Sequence, residues 1–223
     1  MPAKNRIKRY IEGGYYHIYN RGIDGREIFA DEQDYRTFLY TLKRYLEPYM
    51  GETREGFKKD RPSILTHKQR MSLDGNVALL AYCLMPNHFH LLVKQKSKDG
   101  ITKLVRRVCT NYAMYFNHKY ERKGVLFESV YKAVAVTGEE QLINLSRYIH
   151  LNPVNVVKRR YGLVETVVGS KPEEYPYSSY RKYLGLESAS WIRPEEILGM
   201  MRGTPYREFV NRLGGDVGDA GID

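Results

Sequence analysis

The stretch that decides the fold is Leu84-Met85-Pro86-Asn87-His88-Phe89-His90-Leu91-Leu92-Val93. Pro86-Asn87 interrupts an apolar run, and this pattern predicts one strand over 77–85 and a second over 88–94. Successive side chains of a strand point to opposite faces, so His88 and His90 share one face and Phe89 lies on the other. Two neighbouring imidazoles on an exposed strand face can form half of a metal site.

A second informative stretch is Arg147-Tyr148-Ile149-His150-Leu151-Asn152-Pro153-Val154. The pattern predicts a helix that begins at Gly138 or Glu139 and ends at Pro153, because proline disfavours helical geometry in the residue before it. Tyr148 and Asn152 then lie on one helix face, which offers a phenol and an amide oxygen together. His150 points away from that face and is expected at the surface or in packing.

The composition favours a polyanionic partner. Lysine and arginine number 36 against 26 aspartate and glutamate, a net charge of +10. The 20 tyrosines also supply flat faces on which unpaired bases can stack, although most are expected to be core or surface residues. A metal and a tyrosine near a basic surface suggest nucleophilic chemistry on nucleic acid phosphate.

The cysteines and the hydropathy pattern favour a cytoplasmic protein. Cys83 and Cys109 lie far apart in apolar patterns, so we expect two free, buried thiols rather than a disulfide or a zinc ribbon. No apolar run approaches the roughly 20 residues that span a membrane, and the basic N-terminus lacks the apolar stretch of a signal peptide. We expect a nucleoid-associated location and no membrane partner.

The order of predicted elements is β, α, β, β, α, β, α. A strand over 15–20 is followed by a helix from Asp31 to about Leu46, and the two strands described above come next. A helix then starts at Asp99 or Thr102 and runs to about His118, and a strand is predicted over 125–136. This order predicts an α+β fold in which helices cover one face of an antiparallel sheet.

Two segments fall outside this regular pattern. Residues 47–76 are polar, rich in mixed charge and broken by Gly and Pro, which indicates an insertion. Residues 161–223 read as turns and short helices. We therefore predict a core over residues 1–160 and a C-terminal helical extension over 161–223.

The two histidine and tyrosine stretches also resemble a known family. "MPNHFHLLV" and "YIHLNPV" are similar to motifs of the single-tyrosine HUH transposases of the insertion-sequence type, most of all the REP-associated tyrosine transposases. The segments "YHIYNRG" at 16–22 and "YSSYRKYLG" at 177–185 add to the resemblance, which runs roughly from Gly13 to Arg212. It implies a ferredoxin-like or RRM-like HUH core with the histidines on a central strand.

The resemblance also implies roles for individual residues. His88, His90 and Asn152 would bind a divalent metal, Mg²⁺ or Mn²⁺, and Tyr148 would be the nucleophile that forms a 5′-phosphotyrosine with single-stranded DNA near a hairpin. Compact relatives often have glutamine as the third ligand, where this chain has the shorter Asn152. Compact members are dimers and longer members act as monomers, so both states remain open.

Candidate DNA contacts come from the basic residues. Lys103, Arg106 and Arg107 cluster on one predicted helix, and Arg21 lies in "YHIYNRG". The family usually has Gly-Arg where this chain has Ser129-Val130, and Lys132 could take over that contact.

Three other functions are compatible with parts of the sequence. The first is a hairpin-DNA-binding protein that has lost catalysis, and the second is a replication initiator or relaxase of the wider HUH group. The third is a phosphoesterase with paired His-x-Thr/Ser motifs, which the single His-x-His disfavours. Tyr112 and Tyr115 are rival nucleophiles, but they lie on the apolar face of their predicted helix.

Overall fold

The computed structural model describes residues 10–48, 71–154 and 171–212. Most of the predicted insertion and the predicted boundary at residue 160 lie outside these ranges. The strands are β1 (Tyr15–Arg21), β2 (Val77–Met85), β3 (His88–Gln95) and β4 (Lys132–Val136). The helices are α1 (Glu32–Leu46), α2 (Gly100–Lys119), α3 (Glu139–Leu151), α4 (Tyr180–Tyr183), α5 (Glu195–Leu198) and α6 (Tyr206–Asn211), with short 3₁₀ turns at Ile23–Gly25 and Pro172–Glu174.

The four strands form one antiparallel sheet in the order β2-β3-β1-β4, which confirms the predicted α+β class. A tight turn at Pro86-Asn87 joins β2 to β3, as the break in the apolar run predicts. β3 is a central strand, and its histidines pair across to β1, His90 with Tyr19 and His88 with Arg21.

One face of the sheet packs against the two long helices. Ile18, Phe89 and Leu91 belong to the apolar core that also includes the buried side chains of α1 and α2. The predicted cap of α1 forms: the Asp31 carboxylate accepts a hydrogen bond from the Asp34 amide, and the Asp34 side chain accepts one from the Asp31 amide. This face is the one on which the sequence predicts helices.

The opposite face, which carries the histidines, is covered as well. α3 and the short helices of residues 171–212, here called the C-terminal extension, pack there against β2 and β3 around a second apolar core. The sequence predicts helices on one face only. The difference arises because α3 is amphipathic and buries its own apolar side, with Leu142, Leu145 and Ile149, on the sheet.

The C-terminal extension is attached to the back of α3 by buried hydrogen bonds. His150 Nδ1 lies 2.7 Å from the Tyr206 hydroxyl and His150 Nε2 lies 2.8 Å from Ser179 Oγ. The Tyr206 hydroxyl also lies 2.9 Å from Ser146 Oγ. The sequence predicts His150 either at the surface or in packing. His150 is fully buried, so it is a packing residue.

The extension also covers the outer edge of the sheet. The amide of Leu84 donates to the carbonyl of Tyr177 at 3.0 Å, and the amide of Ser179 donates to the carbonyl of Tyr82 at 3.0 Å. Pairing of this kind removes the open strand edge that β2 would otherwise present to other chains.

Two local expectations need adjustment. The predicted strand over 125–136 is shorter and begins only at Lys132. Before it, the Asn20 side chain donates hydrogen bonds to the carbonyls of Ser129 at 2.9 Å and Val130 at 3.3 Å, so these carbonyls bond to a side chain rather than to a strand.

Cys83 is buried and Cys109 partly buried, and both are free thiols. In the described part of the chain, no helix has the length and apolar character needed to cross a bilayer.

Candidate active site

The histidine pair lies in the middle of the sheet, between β3 and α3. The His88 and His90 rings are 4.9 Å apart at 87°, and both lie on the face that α3 covers. The sequence predicts an exposed pair, but His90 is only 4% exposed while His88 is partly buried. α3 accounts for the difference, because it lies across the strand face that carries both rings.

Asn152 completes a set of three convergent side chains. It caps the C-terminus of α3, where its helical backbone continues the helix by one residue. Its Oδ1 lies 3.2 Å from His88 Nε2, and its Nδ2 lies 3.5 Å from His90 Nε2. The three side chains that the family resemblance assigns to a metal therefore lie together, from two elements that are distant in sequence.

Asn87 accepts a hydrogen bond from His88. Asn87 Nδ2 donates to the carbonyl of Gly25 at 3.3 Å, which directs its Oδ1 toward His88 Nδ1 at 2.6 Å. An amide oxygen only accepts, so Nδ1 of His88 donates to it, and Nε2 keeps its lone pair whenever the ring is neutral. The predictions from the sequence did not include Asn87, although its position directly before His88 was a sign that the two side chains could interact.

His17 is a second residue that the sequence analysis did not connect to the site. It lies on β1, is 1% exposed, and its Nε2 is 2.9 Å from His90 Nδ1. Burial lowers the pKa of His17 to about 3, and burial lowers the pKa of His90 well below its ordinary value, with smaller contributions from His88 and His17. Both rings are therefore neutral near pH 7, which is the form in which imidazole can bind a metal.

Tyr148 lies above this cluster on α3. Its ring centroid is 5.7 Å from that of His90 and 6.4 Å from that of His17, edge-on in both cases. The side chain is partly buried. Helical spacing predicts that Tyr148 and Asn152 share a face, and the structure places both beside the histidines.

The separation of two of the proposed ligand atoms is compatible with a divalent cation. If His88 is neutral with its proton on Nδ1, its Nε2 and the Asn152 oxygen are two acceptors facing each other at 3.2 Å. Adjacent ligands of an octahedral ion at about 2.1 Å lie about 3.0 Å apart, close to this separation. No cluster of three or more His, Cys, Asp or Glu side chains suited to a metal occurs in the described residues, so the set depends on the amide oxygen of Asn152.

Two of the five candidate DNA contacts lie on the same sheet face as the histidines. Lys132 Nζ is 5.5 Å from the ring centroid of Tyr19, and that ring stacks on His17 at 4.9 Å. Arg21 pairs with His88 across the strands and forms an ion pair with Glu128, which lowers the pKa of that carboxyl. Both cations are thus near the site. To contact DNA, Arg21 would have to break its ion pair with Glu128 and form one with a phosphate.

The other three candidates lie away from the site. Lys103, Arg106 and Arg107 belong to α2, which packs on the opposite face of the sheet. Lys103 is 3.8 Å from Asp99, and Arg107 donates to the carbonyl of Met71 at 2.8 Å. A role of this group in DNA binding stays a prediction, and it would need DNA that reaches the second face.

The rival tyrosines are also on the wrong face. Tyr112 is fully buried against α1 and donates its hydroxyl to the carbonyl of Ile28. Tyr115 donates to Asp34 Oδ1 at 3.0 Å. Both hydroxyls are separated from the histidines by the sheet, which leaves Tyr148 as the candidate nucleophile of the site.

The chain is similar to known proteins in part of its sequence and in its fold. Residues 52–152 match the family model described as "Transposase IS200 like", a segment that ends at Asn152. A search of curated proteins found no significant match. A solved structure of a REP-associated tyrosine transposase bound to a REP hairpin is similar in fold, with a TM-score of 0.51 and 17% identity, covering 84% of this chain and 90% of that one. Residues 52–152 are thus similar in sequence to the IS200-like transposases, and the chain is similar in fold to a REP-associated tyrosine transposase.

Proposed function

We propose that this protein is a metal-dependent single-strand DNA endonuclease and transposase that cuts and rejoins DNA next to hairpins through a 5′-phosphotyrosine. The observation that carries the proposal is the convergence of His88, His90 and Asn152, with Tyr148 edge-on above His90. A hairpin substrate is supported by the similar structure, which holds a REP hairpin.

His88, His90 and Asn152 would hold Mg²⁺ or Mn²⁺, which when bound supplies positive charge to a phosphate oxygen. Imidazole nitrogens with one amide oxygen suit Mn²⁺ well, while Mg²⁺ prefers oxygen ligands. The protein contributes the orientation of these ligands: Asn87 fixes His88, and the end of α3 fixes Asn152.

Tyr148 carries the covalent step. Its hydroxyl oxygen attacks the scissile phosphorus, and the bond from phosphorus to the 3′ oxygen of the preceding nucleotide breaks. The phenol gives up its proton, and the departing 3′ oxygen gains one to become a hydroxyl. The phosphotyrosine ester keeps the bond energy, so that a 3′-hydroxyl from the same or another strand can attack it and release Tyr148.

The partly buried position of Tyr148 favours an unpaired substrate. In-line attack needs a backbone that can turn its phosphate toward the ring, and a single strand can do this without unstacking a duplex. Lys132 and Arg21 lie on the same sheet face as the site and would neutralise flanking phosphates.

The deciding experiment is a covalent-adduct assay with Mn²⁺ and labelled oligonucleotides that carry a hairpin and a single-stranded flank, taken from palindromes beside the gene. The wild-type chain should give an adduct whose DNA-linked peptide contains Tyr148, and Tyr148→Phe should give none while still binding the hairpin. Tyr115→Phe is the matched control, since it also removes one tyrosine hydroxyl but on the opposite face.

The outcomes separate the alternatives. Hairpin binding by the wild type without any cleavage would favour the inactive DNA-binding protein. An adduct that persists in Tyr148→Phe would show that another residue is the nucleophile.

A further inference from the structure

We infer that His17 is a positioning residue that fixes the tautomer and orientation of His90 for metal binding. This inference rests on the proposed function and adds to it a residue outside the metal-binding set. The inference rests on the hydrogen bond between the two imidazoles, which decides which nitrogen of each ring carries the proton.

The two rings are held firmly against each other. His17 lies on β1, with Leu92 of β3 and Val134 of β4 as its register partners. Its ring centroid is 5.0 Å from that of His90 at an interplanar angle of 13°, and the two nitrogens are 2.9 Å apart. The sheet register fixes this geometry, because both residues lie within strands that pair directly.

The hydrogen bond can be made in two ways. In the first, His90 carries its proton on Nδ1 and donates it to His17 Nε2, which leaves His90 Nε2 unprotonated on the side of Asn152. In the second, His17 donates to His90 Nδ1, and a neutral His90 then carries its proton on Nε2, where it cannot bind a metal. The first arrangement is the only one in which a neutral His90 can act as a ligand.

In that arrangement His17 acts as the hydrogen-bond acceptor that metal-binding histidines generally require. For most such histidines the acceptor is a carboxylate, a backbone carbonyl or water. For His88 it is the amide oxygen of Asn87, and for His90 it is a second imidazole. The two candidate ligands are thus each oriented through Nδ1 by a different neighbour.

The arrangement has a cost that the structure shows. When His17 accepts through Nε2, its own proton lies on Nδ1, and that atom is buried with no hydrogen-bond partner among the residues that the structure describes. An unsatisfied buried donor is unfavourable. We expect that metal binding selects the arrangement in spite of this cost, and that the tautomer ratio of the pair therefore changes when the metal binds.

The test measures Mn²⁺ affinity by electron paramagnetic resonance, without DNA, for three variants. His17→Phe keeps a ring but removes the acceptor, and we expect it to weaken Mn²⁺ binding about 10-fold or more, the range that such outer residues usually show. His17→Gln offers an amide oxygen and should recover part of the affinity. Tyr15→Phe is the matched control: it lies on the same strand and face, its hydroxyl donates to Glu196 at 3.4 Å, and it should bind Mn²⁺ as the wild type does.

A second readout reports the tautomer directly. In ¹⁵N-histidine spectra with Mg²⁺ bound, His90 of the wild type should be protonated on Nδ1, and without metal the population protonated on Nε2 should rise.

The possible failures are distinct. Unchanged Mn²⁺ affinity in His17→Phe, with normal binding by the wild type, would overturn the role of His17 and leave the proposed function intact. His90 found protonated on Nε2 with metal bound would overturn the role of His17 and would also remove His90 from the proposed metal ligands. A wild-type chain that binds no Mn²⁺ or Mg²⁺ would overturn the metal site of the proposed function and this inference with it.

Discussion

Removing the Tyr206 hydroxyl should loosen the helix that carries Tyr148 and Asn152. Tyr206 lies on α6, in the C-terminal extension, and its hydroxyl contacts two side chains of α3, His150 at 2.7 Å and Ser146 at 2.9 Å. Tyr206→Phe keeps the buried ring and deletes only the oxygen. The change therefore tests whether the extension holds α3 on the sheet through this hydroxyl.

The direction of each hydrogen bond follows from the neighbours. Ser146 Oγ donates to the carbonyl of Ile143 at 2.7 Å, so it accepts from the Tyr206 hydroxyl. The Tyr206 oxygen then accepts from Nδ1 of His150, and His150 Nε2 accepts from Ser179 Oγ, which itself accepts from the Tyr82 amide at 2.9 Å. The hydroxyl is thus both a donor and an acceptor in a continuous buried chain.

The expected loss of stability follows from this count. Two buried hydrogen bonds contribute about 1 kcal/mol each, and the stranded Nδ1–H of His150 adds part of the cost of an unsatisfied buried donor. Together they predict that Tyr206→Phe lowers the free energy of unfolding by about 2–3 kcal/mol. Urea denaturation measures this value, and hydrogen exchange should show faster opening of the α3 amides than of β3.

Tyr183→Phe is the matched control for this experiment. It also removes a buried tyrosine hydroxyl from the C-terminal extension, but that hydroxyl donates to the carbonyl of Leu80 on β2 at 3.0 Å. It should lose about 1–2 kcal/mol and leave exchange in α3 and adduct formation close to the wild type. A loss below about 0.5 kcal/mol in Tyr206→Phe, or equal effects of both variants on α3, would refute the reasoning.

Further predictions concern the candidate site and its substrate. His88→Ala and His90→Leu should abolish cleavage while sparing most hairpin binding. Leucine is chosen at His90 because that residue is only 4% exposed and truncation to alanine would open a cavity. EDTA should copy this effect on the wild type and added Mn²⁺ should reverse it, and full cleavage in EDTA would contradict the metal assignment. Hairpin affinity should fall steeply with salt, because a chain with a net charge of +10 releases counterions from phosphates, and a flat response across a titration from low to physiological salt would count against a phosphate-binding surface.

Much of the site follows from short-range periodicity. A strand repeats every second residue, and this places His88 and His90 on one face whatever the rest of the chain does. A helix brings residues four apart together, and this accounts for Tyr148 and Asn152. The Asp31 cap and the Pro86-Asn87 turn are equally local, and the structure shows both.

Contacts between segments that are distant in the chain could not be predicted from the sequence. His17 and His90 are 73 positions apart, and only the register of β1 against β3 brings their nitrogens to 2.9 Å. The burial of His90 likewise depends on α3 crossing the sheet, and the start of β4 at Lys132 depends on where the Asn20 side chain binds the preceding backbone. The sequence by itself determined which side chains share an element face, because that is a property of backbone geometry over a few residues. Which faces meet, and which nitrogens of the two histidines face Asn152, was decided only by strand register and helix packing over the whole fold.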